Sequence, residues 1–422
     1  MKWSGGMSAP AVQVAKAPVA ITRRCTHRKL LWTPSEPWIQ EGFFYLWALA
    51  AMRLGVRIHG LALEPNHYHG EVTPTEANLP EFTQRAHRDT ALFLQAALEE
   101  LGYDPPPCVW DKTPTHYMRL MDTGACLASA LYLRMQPVAD GLVERTADYP
   151  GVNTELALRK GGVVVLKRPP ILASPDMPSQ LEVPIHPNAV LARGFGGDLQ
   201  KAAYVLKKRE AELTERLRAA HAASGRRVLG AEVVKKIHPY AEPRTQRKRG
   251  PRPPAYKVGG EPMESLDDLA AKREQLAAEQ ERFWEDYEGS RERWRGGDRD
   301  VLYPAGTYEM QVEHRANVAE PHEDAWLCAP GDLSLVPEGG RVKTTVHAAA
   351  VDAMVDELME DLEEDSLGQV TQPGDVVRPD ERSEEEAEGT ELESPARSAR
   401  RDHARRQVTH RTRSPGKPKA PT

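Results

Sequence analysis

Along the first 150 residues the spacing of apolar positions changes repeatedly, and each change predicts an element. Val19 to Cys25 and Lys29 to Trp32 are short runs that predict strands about a turn. From Pro37 to Leu54 apolar residues are nearly continuous. Pro stands at the start and Gly55 just past the end, which predicts a helix. Arg57 to Leu63 alternates, and His67 to Val72 continues as a strand. Pro65-Asn66 between them predicts a hairpin. Leu79 to Leu101 returns to helical spacing, with Phe82, Ala86, Phe93, Ala97 and Leu101 on one stripe and Gly102 as its stop. After Pro105-Pro106-Pro107 a third helix is predicted over about Asp122 to Met135, ended by Pro137. This order of elements predicts an α+β fold built on an antiparallel sheet.

The pattern past Asn153 is different. Asp198 is placed to cap a helix reaching about Ala223, with Leu199, Ala203, Leu206, Leu213, Leu217 and Ala220 on one face. Arg226 to Lys257 is rich in Lys, Arg and Pro. Ser265-Leu-Asp-Asp268 opens a longer helix to about Arg295, striped by Leu269, Leu276, Phe283, Tyr287 and Trp294. The two helices are expected to form an antiparallel hairpin packed on the preceding domain. From Gly339 onward acidic blocks (356–365 and 384–393) give way to a basic one (397–419). Such blocks bury too little apolar surface to offset ordering entropy. The expected organisation is a flexible 1–17, a compact 18–152, a mainly helical, partly basic accessory region 153–338, and a disordered, acidic then basic tail 339–422.

Composition narrows the class. With 31 Gly, 35 Pro and 6% aromatics, the 422 residues are too rich in turn-formers for one compact domain throughout. The net charge of −6 is spread unevenly, and a near-neutral sum can hide a basic binding surface and an acidic tail. No apolar run approaches the ~20 residues that cross a bilayer. The N-terminus lacks the apolar stretch of a signal peptide, and four scattered cysteines without a Cys-x-x-Cys pair fit a reduced compartment. A cytoplasmic protein without a membrane partner is expected.

The chemistry centres on His67-Tyr68-His69. On a strand, residues i and i+2 share a face, so His67 and His69 reach one metal ion while Tyr68 turns into the packing. About sixty residues later, Tyr132 and Gln136 stand at i and i+4, one turn apart on one helix face. Two imidazoles and an amide oxygen suit Mg²⁺ or Mn²⁺, and a phenol beside a cation is an activated nucleophile. Each residue also has a plain structural role open to it. The histidines can be strand-surface residues, Tyr132 a helix tyrosine packing through its ring, and Gln136 a helix-end cap. Tyr103, Tyr117 and Tyr149 are rival nucleophiles.

Four stretches together resemble the single-tyrosine transposases of the His-hydrophobic-His (HUH) endonuclease class, especially the REP-associated tyrosine transposases and their insertion-sequence-200 relatives. They are Ile21-Thr-Arg-Arg-Cys-Thr-His27, Pro65-Asn-His-Tyr-His69, Val109-Trp-Asp111, and Tyr132-Leu-Arg-Met-Gln-Pro-Val-Ala-Asp-Gly-Leu-Val143, closed by Asp148-Tyr-Pro150. The resemblance spans residues 18–152. It departs at Tyr68, where an aliphatic residue or His is usual, at Gln136, where Asn is common, and at Glu64, where a small or apolar residue is common.

The resemblance implies a ferredoxin-like antiparallel sheet with helices on its faces. It also implies a metal held by His67, His69 and Gln136, and attack by Tyr132 that leaves a 5′-phosphotyrosine and a free 3′-hydroxyl. The expected partner is single-stranded or hairpin DNA, with either a homodimer or a monomer. Arg23, Arg24, Arg28 and Lys29 by the first strands, and Arg85 and Arg88 on the second helix, are the expected phosphate contacts. Arg244 to Arg252 is a further basic tract. Two other readings stand beside this one. One is a non-catalytic DNA-binding protein that keeps the fold. The other is a small-molecule phosphoesterase, against which the basic surface and the lack of a two-metal carboxylate cluster count.

Overall fold

The computed structural model describes residues 11–154, 162–172, 174–243, 254–261, 264–333 and 376–377. Its centre is a β-α-β-β-α-β unit: β1 (Val19–Arg24), α1 (Pro37–Arg53), β2 (Val56–Glu64), β3 (His67–Pro74), α2 (Leu79–Glu100) and β4 (His116–Leu120). The strands lie in the order β2-β3-β1-β4, all neighbours antiparallel, which is the ferredoxin-like arrangement. A fifth strand, β7 (Tyr256–Lys257), pairs with β4 in parallel, so the sheet is mixed.

Two cores cover the two sheet faces. On the first, Ile21, Tyr68 and Val72 meet Phe43 and Trp47 of α1 and Phe82, Phe93 and Leu94 of α2. β5 (Val163–Lys167) and β6 (Gln180–Pro184) form a hairpin that adds Leu166, Leu181 and Val183 to this core. The second core holds α3 (Thr123–Ala139), α4 (Ala189–Gly194) and α5 (Leu199–Ser224), joined through Leu127, Leu131, Leu191, Leu206 and Leu213. Residues 163–241 thus contribute to the same two cores as residues 18–152.

Several elements differ from expectation. Lys29 to Trp32 is a turn after the short 3-10 helix Thr26–Arg28, not a strand. The helices α5 and α6 (Leu266–Arg295) begin and end close to where capping and periodicity place them. They do not share a core: α5 packs on α3, whereas Leu276 and Phe283 of α6 belong to small clusters with Val258 and Cys328. Residues 11–17 are packed, with Gln13 N donating to Gly306 O at 2.9 Å and Lys16 N to Pro74 O at 2.7 Å. Residues 1–10, the Arg244–Arg252 tract and almost all of the charged tail lie outside the described residues.

The most consequential difference is at Pro137. α3 does not stop before it but runs on to Ala139, with Pro137 inside its last turn. A proline there forfeits one backbone donor. The turn is closed by Asp140 N, which donates to Gln136 O at 2.8 Å, and the chain leaves through Gly141 at φ +69°, a left-handed exit suited to glycine. The extra turn brings Asp140 onto the same stripe as Tyr132 and Gln136.

At its other end α3 is held firmly. Asp122 is fully buried and caps Ala125 N at 2.9 Å, and its carboxylate also accepts from Gly259 N and Gly260 N at 2.9 Å each. Lys272 Nζ of α6 stands 3.1 Å away. The segment that supplies β7 thus also clamps the start of α3.

Candidate active site

The site forms where β3 is crossed by α3. The hairpin between β2 and β3 turns at Pro65-Asn66, and its register sets Glu64 opposite His67 and Ala62 opposite His69. On the other side β1 sets Arg24 opposite His67 and Thr22 opposite His69. Residues directly opposite in antiparallel strands share a face. One row across the sheet is therefore Glu64, His67 and Arg24, and the next is Ala62, His69 and Thr22. Tyr68 points the other way into the first core, where its hydroxyl meets His87 Nε2 at 2.7 Å.

The two imidazoles are neighbours, ring centroids 4.8 Å apart and nearly perpendicular. Asn66 Oδ1 lies 2.7 Å from His67 Nδ1 and, as the acceptor, leaves Nε2 with the lone pair. Thr22 Oγ1 lies 2.9 Å from His69 Nδ1 and fixes that ring in turn. Burial, reinforced by the charges of His69, Arg24 and Arg28, holds the His67 pKa well below its ordinary value. His67 is therefore a neutral imidazole at physiological pH, the form that binds metal.

α3 supplies the opposite wall. Every residue of α3 is buried except Tyr132, which is half-buried. The Tyr132 ring meets the His69 ring edge-on, centroids 5.2 Å apart at 87°. Asp140, two turns on, stands with Glu64 and His67 at the other end of the site, ligand atoms of the three lying within 4.8 Å of one another. Gln136 sits midway between Tyr132 and Asp140 on this stripe, 1% exposed, and its Nε2 has no hydrogen-bond partner among the described residues. The strand pair and the i, i+4 helix pair expected to share one site thus lie on facing elements. Two imidazoles, an uncommitted amide and nearby carboxylates are a donor set that fits a divalent cation.

The rival tyrosines are otherwise engaged. Tyr149 OH donates to Leu63 O at 2.7 Å, and Tyr117 OH meets Thr83 Oγ1 at 2.5 Å on the α2 side of the sheet. Tyr103 packs against His238 and Tyr240. Trp110 is buried in the first core.

The six basic residues divide. Arg24 and Arg28 act electrostatically on His67, and Arg24 is exposed. Arg23 alternates to the Tyr68 side, where its guanidinium donates to Asp111 O at 2.8 Å and to Thr113 O. Lys29 Nζ lies 5.2 Å over the Tyr240 ring. Arg85 and Arg88 both pair with Asp89 on α2, which covers the face opposite the histidines. Sequence reasoning missed Thr22, Asp140 and Arg226. Arg226 follows α5 and donates from a guanidinium nitrogen to Asp140 O at 2.7 Å. Glu64 was visible only as a departure from pattern.

No helix among the described residues is long and apolar enough to cross a membrane. The sequence matches no family model and no curated protein. Among solved structures, the chain is similar to a REP-associated tyrosine transposase bound to a REP hairpin, with 14% identity and a TM-score of 0.30 over 37% of this chain and 87% of the other. It is also similar to a proposed transposase from Deinococcus radiodurans R1, with 16% identity and a TM-score of 0.22 over 28% of this chain and 85% of the other.

Proposed function

We propose that this chain is a metal-dependent tyrosine nuclease and strand-transfer enzyme of the transposase type, acting on single-stranded or hairpin DNA. The observation that carries the reading is the edge-on meeting of Tyr132 with His69, with Tyr132 the one residue of α3 not buried. A helix tyrosine that served only packing would be covered like its neighbours.

Tyr132 is the nucleophile. Its phenolic oxygen forms a bond to phosphorus as the bond from phosphorus to the 3′-oxygen breaks. The phenol gives up its proton, and the leaving 3′-oxygen ends as a hydroxyl. The product is a 5′-phosphotyrosine, and because the phosphoester is conserved, rejoining needs no nucleotide cofactor. His67, His69 and Gln136 would hold Mg²⁺ or Mn²⁺, whose chemistry when bound is to polarise a non-bridging phosphate oxygen and offset the charge of the transition state. Thr22 and Asn66 hold the two imidazoles in place through their ring nitrogens. Arg24 and Arg28 would bind the DNA backbone beside the site.

The test is a cleavage assay on labelled single-stranded hairpins taken from DNA flanking the gene, with Mn²⁺ or with EDTA, comparing wild type with Tyr132→Phe. The expected result is a denaturation-resistant protein–DNA adduct that needs metal and is lost in the variant. Adducts that persist in Tyr132→Phe would refute the nucleophile. DNA shifted but never cut would assign the chain instead to non-catalytic DNA binding.

A further inference from the structure

An apolar groove of about 430 Å³ opens between the end of α1, the start of β2 and the strand β6. Buried Ala51, Ile58 and Val183 form its floor, and Met52 and Pro184 stand exposed on its rim. Met52 is 58% exposed, a large apolar side chain set in water. An apolar groove with an apolar rim is the kind of surface that a helix covers with its own apolar stripe.

The chain itself leads into this groove. Leu333, the last described residue before 376, is one of its lining residues. The approach is fixed by hydrogen bonds: Gly331 N donates to Ala15 O at 2.8 Å, and Arg193 Nη1 donates to Asp332 O at 2.9 Å. Beyond residues 334–350, the sequence has a pattern of its own. Val351, Met354, Val355, Leu358 and Leu362 recur at helical spacing on one stripe. Residues 351–365 also carry eight acidic residues and no Lys or Arg. Such a stretch buries too little apolar surface by itself to offset ordering entropy, and a groove supplies the surface it lacks.

Reach and charge agree with this occupant. The 334–350 connection spans up to about 60 Å. Tethering through it sets a local concentration of roughly millimolar, which favours this stretch over a free ligand or a second copy. Arg57 lines the groove and Arg53 closes α1 beside Met52, both exposed, against one lining acid, Glu182.

We infer that the groove is the docking site of residues 351–362 of the same chain, a segment outside the described residues, which packs there as an amphipathic helix with its acids outward. β2 runs from the groove at Val56 to the histidine site at Glu64, about 26 Å along the strand. Docking therefore leaves the candidate active site open, and the inference is independent of the nuclease reading.

The experiment is hydrogen–deuterium exchange of the full chain, read by mass spectrometry. Backbone amides of 352–362 are expected to exchange at least tenfold more slowly than in a synthetic peptide of residues 344–366. Met52→Glu/Pro184→Glu puts two charges on the groove at exposed positions, and Leu358→Asp breaks the stripe. Each should bring exchange of the segment to the peptide's rate while exchange in α3 stays as in wild type. Wild-type exchange at the peptide's rate would overturn the inference. So would slow exchange that survives Met52→Glu/Pro184→Glu, because the segment would then dock elsewhere. Slow exchange lost on tenfold dilution would give the groove to a second copy and overturn the same-chain occupant. If the groove variant fails to fold, disulfide trapping decides. With the exposed Cys108 removed as Cys108→Ser, Met52→Cys should cross-link to Val355→Cys within one chain, and no such cross-link would overturn the docking.

Discussion

The Thr22 hydroxyl and His69 Nδ1 meet at 2.9 Å across the β1–β3 pair, so a residue on one strand fixes the ring that faces Tyr132 from the next. Groups that orient a ligand-bearing histidine typically matter about 10- to 100-fold for metal affinity or activity. Thr22→Val keeps the strand-favouring shape and removes the hydroxyl. It is expected to slow adduct formation by about 10- to 100-fold, at a stability cost of about 1 kcal/mol. Single-turnover adduct rates and urea unfolding measure the two effects separately. An unchanged rate would make the Thr22 contact purely structural.

That contact also marks where the sequence stops being readable. The hairpin, the His pair and α1 and α2 follow from periods of two and of 3.6, from Pro65-Asn66 and from Gly55 and Gly102 as stops. Which β1 residue faces His69 depends on a tertiary register between strands more than forty residues apart, and no local pattern encodes it. β4 escaped because His116-Tyr-Met-Arg-Leu120 is only half-buried along most of its length and lacks alternation. β7 escaped because two residues say nothing of a partner more than 130 positions away. The reach of α3 past Pro137 escaped for an energetic reason: burial of the last turn outweighs one missing donor, and this hid Asp140 from the site.

The clamp on α3 predicts a stability effect. Asp122 is buried and accepts from three backbone N–H groups besides pairing with Lys272. Breaking a buried charged network from one side costs about 3–5 kcal/mol. Asp122→Ala should fall in that range, and Lys272→Ala should cost less because the three N–H donors still satisfy the carboxylate. Urea midpoints at constant slope check both. Equal costs for the two variants would mean that the ion pair, and not the cap, holds the helix.

The division of the arginines predicts different salt responses. Arg24 and Arg28 lie on the histidine side, whereas Arg85 and Arg88 pair with Asp89 on the helix covering the opposite face. Each phosphate contact to single-stranded DNA adds about 0.7 to the slope of log affinity against log salt. The double variant Arg24→Ala/Arg28→Ala should lower the slope by about 1.4. Arg85→Ala/Arg88→Ala should leave it unchanged. Fluorescence anisotropy of a labelled hairpin over a salt series measures this. A reduced slope in the second pair would place the DNA across α2 instead.

Two half-buried imidazoles predict a pH effect. Burial pushes His87 down to about 3 and His59 down to about 4. His87 accepts from the Tyr68 hydroxyl or donates to it at 2.7 Å, and His59 is held between Thr73 and the His186 carbonyl. In the unfolded chain both titrate near 6.5. Between 6.5 and the folded values the unfolded state binds more protons, so each ring's contribution is fully present above pH 6.5 and is lost as pH falls. The limiting slope is about 1.4 kcal/mol per pH unit for each ring. Glu71 works in the opposite sense, because burial raises its pKa, so the prediction concerns a difference. His87→Gln keeps a polar partner for Tyr68 and cannot titrate. Urea unfolding at pH 7.5, 6 and 5 should show the stability of wild type dropping faster than that of His87→Gln, by up to one proton's slope. Parallel curves would mean that His87 is protonated in the fold and that burial does not set its charge.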